Sequence, residues 1–448
     1  MSYKSINPWN NEVLNERSFD SDNDLKQKLN RAQNAFKTWK QTPVNERLHI
    51  LKEIKAFTEK HINEFAELAS LEMGKPLQEG VAELKKCMRL CEYYQENTSN
   101  VLQQKTIDTD ASESFITYEP LGVLLGIMPW NFPFWQVFRF AIPSLLAGNV
   151  VCLKHAPNVG LCASFFEQMA HILPKGIFEV LYISHASTEN LIDQGVFQGI
   201  SLTGSTEAGR AVAAIAGRNI VPCLLELGGS NACLILKDAD VEQYANTIVK
   251  ARFLNSGQSC IAAKRIIIHE SIYDKARSIL VDTVKQLTLD NPLNKPDIGP
   301  LARTDLADKL NQQVRESQEL GVKVLLPFEQ EGCKFFPTIL DEVTPHMPVF
   351  KEETFGPVMS LIKSPTLEEM IHLSNLSDYG LGVSIFTENI SQIKRRFNQF
   401  NEGAIFINEL VKSDPRLPFG GVKLSGYGRE LANEGLTAFT NLKTHYIG

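Results

Sequence analysis

Val123-Leu124-Leu125-Gly126-Ile127-Met128-Pro129-Trp130-Asn131-Phe132-Pro133 is an apolar run that stops at a proline and opens into a short aromatic and polar loop. The pattern recurs downstream. Val150 to Leu153, Phe178 to Ile183 and Ile200 to Thr203 are further apolar runs, and Gly160 to Leu173 and Thr206 to Ala216 have helical spacing between them. Near-continuous apolar strands alternating with helices predict a parallel sheet covered on both faces. Such sheets bind ligands beyond the carboxyl ends of their strands. The loops to search are therefore Pro129 to Pro133, Lys154-His155-Ala156-Pro157, and Gly204-Ser205-Thr206-Glu207-Ala208-Gly209.

Upstream, residues 22–108 read as helices. Leu25, Leu29, Ala32 and Phe36 recur at helical spacing, as do Leu48, Leu51 and Ile54. The run Phe65 to Ala69 meets a stop at Gly74 and Pro76, Leu84, Met88 and Cys91 carry a further helix, and Phe115 to Tyr118 is a strand candidate. Downstream, a second α/β series begins near Ser230. Its strands are Ala232 to Leu236, Arg265 to Ile268, Val322 to Leu326, Val383 to Phe386 and Ala404 to Ile407, and its helices are Val241 to Phe253, Tyr273 to Leu287 and Thr304 to Leu320.

The 448 residues suffice for two or three domains with a large core. A net charge of −7 does not suggest a nucleic-acid surface. No apolar run reaches the roughly 18–20 residues of a membrane span, and Met1 to Pro8 has no apolar leader core. The eight cysteines are scattered without paired Cys-x-x-Cys spacing, so neither a metal centre nor a disulfide framework is indicated. Reduced thiols in a cytoplasmic protein fit that usage.

Four features carry chemistry. Cys260 ends the polar loop Asn255-Ser256-Gly257-Gln258-Ser259, a place for a nucleophile or for a small core residue. Glu226 ends an apolar run before Gly228 and Gly229, either a base with a raised pKa or a surface strand-end acid. Asn131 lies between two prolines, an oxyanion donor or a turn residue. Gly204 to Gly209 follows a strand and opens a helix, a phosphate loop or a plain helix cap. No Gly-x-Gly-x-x-Gly is present. Glu352-Glu353 before Phe355 could accept from ribose hydroxyls or be a solvated acidic pair. Taken together, a thiol, a base, an oxyanion donor and a phosphate loop are the parts that aldehyde oxidation needs.

With these motifs in their order, joined by Pro418-Phe419-Gly420-Gly421-Val422-Lys423-Leu424-Ser425-Gly426, the chain resembles the NAD(P)-dependent aldehyde dehydrogenase superfamily over essentially its full length. The resemblance implies an α/β fold with a Rossmann-like cofactor domain (1–101 and 121–228), an α/β catalytic domain (229–420) and a small β oligomerisation arm (102–120 and 432–448). It implies Cys260 as nucleophile, Glu226 as base, and Asn131 with the Cys260 N–H as oxyanion hole. Cofactor contacts would come from Met128, Pro129, Trp130, Lys154, Gly204, Ser205, Gly209, Leu227, Glu353 and Phe355. The partners implied are a small-molecule aldehyde and further copies of the chain, as a homodimer or homotetramer, with no nucleic acid and no membrane.

Within the family, Trp135 to Arg139, Leu153 to Asn158 and Ser413-Asp414-Pro415-Arg416 resemble the succinate-semialdehyde dehydrogenase group. Arg139 matches its substrate-carboxylate arginine, although a structural ion pair is an equal reading; a guanidinium suits a carboxylate through two parallel bonds. Two positions depart from the pattern. Leu254 stands where some members carry a second arginine, which turns attention to Ser413 or Arg416 as the missing contact. Pro157 stands where NAD-preferring members carry a glutamate that repels a 2′-phosphate, so NAD is expected with NADP tolerated. The alternatives are another aldehyde (aliphatic, aromatic or amino), a CoA-acylating relative, which the presence of Glu226 disfavours, and a non-catalytic binding relative.

Overall fold

The computed structural model describes residues 2–448. Strands Val123–Met128, Val150–His155, Phe178–Val180, Gly199–Thr203 and Cys223–Glu226 form one parallel sheet, with Gly426–Tyr427 added antiparallel beside the last. The first strand lies between the Val150 and Gly199 strands. The chain therefore leaves it in one direction and later returns on its other side. That reversal makes a crevice at the carboxyl ends of the Val123 and Gly199 strands. Pairing of Ile127 with both Lys154 and Leu202, and of Thr203 with Glu226, brings the loops singled out above to the same edge.

The second sheet has seven strands in the order Lys323–Leu326, Thr338–Asp341, Val358–Ser364, Ala263–His269, Asn231–Ile235, Val383–Phe386, Ile405–Ile407, parallel except at the first pair. Leu227 to Ser230 run from the carboxyl end of the first sheet to the amino end of the second. Cys260 also sits at that amino end, three residues before the strand Ala263–His269. The carboxyl edge of the first sheet thus gathers the loops expected to meet a cofactor but not the thiol. The thiol belongs to the seam between the sheets.

The expected helix stop is present: Ile62–Met73 ends at Gly74, φ 76°, and Pro76 precedes the long helix Leu77–Leu102. A third, antiparallel sheet joins Lys105–Thr106, Glu113–Pro120 and Thr440–Ile447. Within the tail, Ala432–Thr437 is a short helix with Leu436 in the main core, and the strand follows it.

One helix deserves a closer account because it carries Arg139. Trp135–Leu146 is buried along its whole length, so water cannot satisfy the amides that open it. Glu83, from Leu77–Leu102, accepts from the Phe134 and Trp135 N–H groups at 2.8 Å each and also pairs with Lys75. A carboxylate at a buried helix start satisfies orphan donors and matches the helix dipole. Glu83→Ala would strand two amides and a buried ammonium, so its folding stability should fall by about 3–5 kcal/mol. A urea transition monitored by tryptophan fluorescence, unmoved relative to wild type, would refute that role.

Candidate active site

The loop that bears the thiol is strained and held from every side. Asn255, Ser256 and Gly257 take positive φ angles of 56°, 55° and 72° in succession. Two of the three carry a Cβ, and such conformations persist only where surrounding contacts over-determine them. Here the contacts are explicit. The Asn255 N–H donates to Glu79 at 2.8 Å, and its side-chain amide donates to the Asn131 carbonyl at 2.8 Å. The Ser256 hydroxyl meets Gly299, and the Gln258 side chain accepts from Ala302 N–H at 2.9 Å. Arg252, completely buried, donates to the carbonyls of Val358, Thr354 and Gly356. A Cβ on Gly257 would collide with the Gly356 carbonyl, so no other residue fits there.

Cys260 is a free, partly buried thiol. Burial pushes its pKa up to about 11; Lys264 and Arg139 pull the other way, and Glu353 and Glu226 add to the rise. Lys264 is the principal cation of the loop. Its ammonium donates to the Ser259 and Cys260 carbonyls at 2.8 and 2.9 Å and to Glu353 at 2.9 Å. Asn131, 5% exposed, donates from Nδ2 to the Gln258 carbonyl at 3.0 Å. That bond uses one amide hydrogen and fixes the plane, leaving the second hydrogen free.

Glu226 ends its strand with 2% exposure, and neither carboxylate oxygen has a hydrogen-bond partner. Burial raises its pKa well above the carboxylate range and Glu430 adds to this, against the pull of Arg139 and Arg429. The shift favours the protonated carboxyl and makes the ionised form a stronger base than an ordinary carboxylate. Gly420 permits this placement, because a Cβ there would lie 2.7 Å from Oε1 of Glu226.

The cofactor positions converge on the crevice of the first sheet. Met128 is the buried end of the central strand, and Pro129 and Trp130 follow it partly exposed. Phe355 stands edge-on to Trp130 with centroids 5.7 Å apart. Ser205 caps the helix Thr206–Arg218, accepting from Ala208 N–H at 3.2 Å, and Gly204 N–H donates to the Glu226 carbonyl at 3.0 Å. Gly209 gives Leu227 room: a Cβ would stand 2.6 Å from both Leu227 methyls. Lys154 is 3% exposed, burial lowers its pKa to about 8, and no hydrogen-bond acceptor for its ammonium is found among the described residues. A buried ammonium without an acceptor fits hydroxyls or phosphate supplied from outside the chain. Glu353 Oε1 accepts from Lys264 and from Gly229 N–H.

Arg139 is buried, ion-paired with Glu430 and placed over the Phe419 ring at 4.6 Å. Ser413 accepts from Lys86 Nζ at 2.7 Å and from Trp135 Nε1 at 2.9 Å. Arg416 is not brought to this cluster. Its side chain is 76% exposed and closes on Asp414 through two bonds of 2.8 and 2.7 Å. The acid two residues earlier captures it. The sequence reading above passed over Lys86, Lys264, Arg252 and Glu430. A signal existed for the first: Glu79, Glu83 and Lys86 recur at four and three residues, a charged stripe on one helix face.

The chain matches the aldehyde dehydrogenase family over residues 1–445. It is 39% identical over 453 residues to a probable NADP(+) succinate-semialdehyde dehydrogenase of Synechocystis sp., covering 100% of both chains. It is 37% identical to the NAD(P)+ succinate semialdehyde dehydrogenase Sad of Escherichia coli, over 98% of this chain and 96% of that one. The crystal structure of succinic semialdehyde dehydrogenase from Streptococcus pyogenes in complex with NADP+ superposes with a TM-score of 0.96 at 32% identity, covering 99% of each chain. A thiol and a buried carboxyl at one seam, beside a crevice at the strand ends of a parallel sheet, agree with these matches, and the chain belongs to the aldehyde dehydrogenase family.

Proposed function

We propose that this enzyme oxidises succinate semialdehyde to succinate with NAD(P)+, through a covalent intermediate on Cys260. The observation that carries the chemistry is the pair formed by a free thiol on an over-determined loop and a buried carboxyl with both oxygens unpartnered. The substrate is supported by relatives of that name at 36 to 39% identity and by the cationic cluster of Arg139 and Lys86.

Sγ of Cys260 loses its proton and attacks the aldehyde carbon, and the carbonyl oxygen takes up the negative charge. The free Nδ2 hydrogen of Asn131 and the Cys260 N–H receive that oxyanion, a donor set worth about 10²–10³ in rate per donor. NAD(P)+, when bound, would supply the acceptor for the hydride that leaves the former aldehyde carbon as the oxyanion collapses to a thioester on Cys260. Glu226 then takes a proton from water, the hydroxide attacks the thioester carbon, and the C–S bond breaks to return the thiolate. Lys264 and Arg139 favour that thiolate electrostatically.

For the cofactor, Lys154 and Glu353 would hold ribose hydroxyls, Ser205 and the Gly204–Gly209 turn the pyrophosphate, and Phe355 with Trp130 the nicotinamide side. Pro157 opens a short turn just after Lys154 and brings no carboxylate. His185 lies close enough to Lys154 for the ammonium to lower its pKa. The buried Lys154 ammonium favours acceptance of a 2′-phosphate, with no acid at position 157 to repel it. The divisions 1–101 with 121–228, and 229–420, correspond in this proposal to cofactor and catalytic domains. The segments 102–120 and 432–448 serve oligomerisation. The strand Thr440–Ile447 lies at the edge of its sheet with Leu442, Tyr446 and Ile447 about half exposed, an edge that a second copy would cover. All eight cysteines are free, in keeping with a reducing cytoplasm.

A second reading, oxidation of an uncharged aldehyde, is favoured by the Arg139–Glu430 pair, which already uses the arginine's charge. NADPH and NADH formation at 340 nm with succinate semialdehyde, butanal and benzaldehyde separates the two. A wild-type enzyme that does not favour succinate semialdehyde overturns the first.

Because burial raises the Glu226 pKa, its base form is lost as pH falls, and kcat should climb with pH through the neutral and alkaline range. Glu226→Gln should retain a first burst of reduced cofactor and lose steady turnover by about 10²-fold or more; steady turnover at the wild-type rate would remove Glu226 from the mechanism. Iodoacetamide alkylation of Cys260 should titrate near pH 11, and Lys264→Met should displace the midpoint upward. Pro157→Glu should weaken NADP by about tenfold or more relative to NAD, as a like-charge contact costs several kcal/mol; KM values for both cofactors measure it.

A further inference from the structure

We propose that Lys86, with Ser413, forms the part of the substrate site that recognises the distal carboxylate, and so sets the enzyme's preference for an acidic aldehyde. This rests on the succinate-semialdehyde reading above and adds to it a residue on a helix far earlier in the chain.

The hydrogen-bond inventory of the site requires an external acceptor. Lys86 Nζ donates to Ser413 Oγ at 2.7 Å, and Trp135 Nε1 donates to the same oxygen at 2.9 Å. A hydroxyl has two acceptor positions and one hydrogen. Both acceptor positions are taken, so the Ser413 hydrogen must point to something else, and no acceptor for it is found among the described residues. The Lys86 ammonium has two further hydrogens. The cluster therefore presents three unspent donors and no acceptor, which is the complement of a carboxylate.

The charge inventory gives the same answer. Lys86 has no carboxylate within ion-pair distance among the described residues. The acid one turn earlier, Glu83, is used by Lys75 and by the amides of Phe134 and Trp135. Arg139 is used by Glu430. Lys86 is thus the cation of this region whose charge is not balanced. It is partly buried and lies 4.1 Å from the centroid of the Trp135 ring. Burial and the nearby Arg139 depress its pKa to about 7, the mark of an ammonium that lacks an anion. Trp135, which Lys86 overlies and which shares Ser413 with it, lies four residues before Arg139 on the same buried helix, and the Arg139 charge acts on both Lys86 and Cys260.

The test uses the enzyme with NADP+ and compares kcat/KM for succinate semialdehyde and butanal. Lys86→Met should lower the ratio of the two by about ten- to a hundredfold, the worth of a charge-assisted hydrogen bond, and mainly through the KM for succinate semialdehyde. Lys86→Arg should restore most of the ratio, which a merely structural lysine would not do. Ser413→Ala keeps the charge and should lower the ratio by a smaller factor; it carries the test alone should Lys86→Met fail to fold. A wild-type preference for succinate semialdehyde that persists in both variants overturns the role of Lys86. Absence of that preference in the wild type overturns the substrate reading instead.

Discussion

Arg252 is the interaction on which the catalytic seam depends. One buried guanidinium binds carbonyls at Thr354, Gly356 and Val358 and reaches Gly257 of the thiol loop at 3.4 Å. The residues it gathers include the segment that carries Glu353 and Phe355. The loop before Cys260 cannot hold three consecutive left-handed residues by itself, since each non-glycine member costs on the order of 1–3 kcal/mol. The arginine and the amides of Asn255 and Gln258 supply the restraint. A charge without an acid partner is tolerated here because several carbonyl dipoles replace its water, at a visible cost: burial lowers the Arg252 pKa to about 9.

Burial governs the reactivity of the seam as well as its shape. It moves the Cys260 thiol and the Glu226 carboxyl in the same direction, toward their protonated forms. Two ion pairs stand among these groups, Lys264 with Glu353 and Arg139 with Glu430. Burial thus holds both groups toward their protonated forms, and each would be a stronger nucleophile or base than an exposed counterpart when ionised.

Much of this arrangement was legible in the sequence because its signals are local. Val123 to Met128 and Val150 to Leu153 are buried on both faces and so read as continuous apolar runs. Gly74 and Pro76 stop a helix through backbone sterics alone. Strands Thr338–Asp341 and Val358–Ser364 were not legible, since each carries polar residues at sites the sheet still buries: Thr338, Asp341, Ser360 and Ser364. Asp341 is matched by Tyr273 and Arg277, partners from another element. The same holds at the site. Cys260, Glu226 and Asn131 announce themselves by neighbouring glycine and proline. Lys86 and Glu430 acquire meaning only through residues hundreds of positions away, so no local window contains the information.

The two glycines after Glu226 join these arguments. Gly228 and Gly229 lead from the carboxyl end of one sheet to the amino end of the other, past Cys260. A Cβ at Gly228 would lie 2.5 Å from Glu353 Oε2, and one at Gly229 would lie 2.5 Å from the Cys260 carbonyl. The carbonyl is backbone and cannot retreat without taking the thiol with it. The carboxylate is tethered by Lys264 and by the Gly229 N–H itself. Glu226, Cys260 and Glu353 can approach this closely only because Gly228 and Gly229 carry no side chains. The spacing of these three groups is thus set by a short stretch that contributes only backbone.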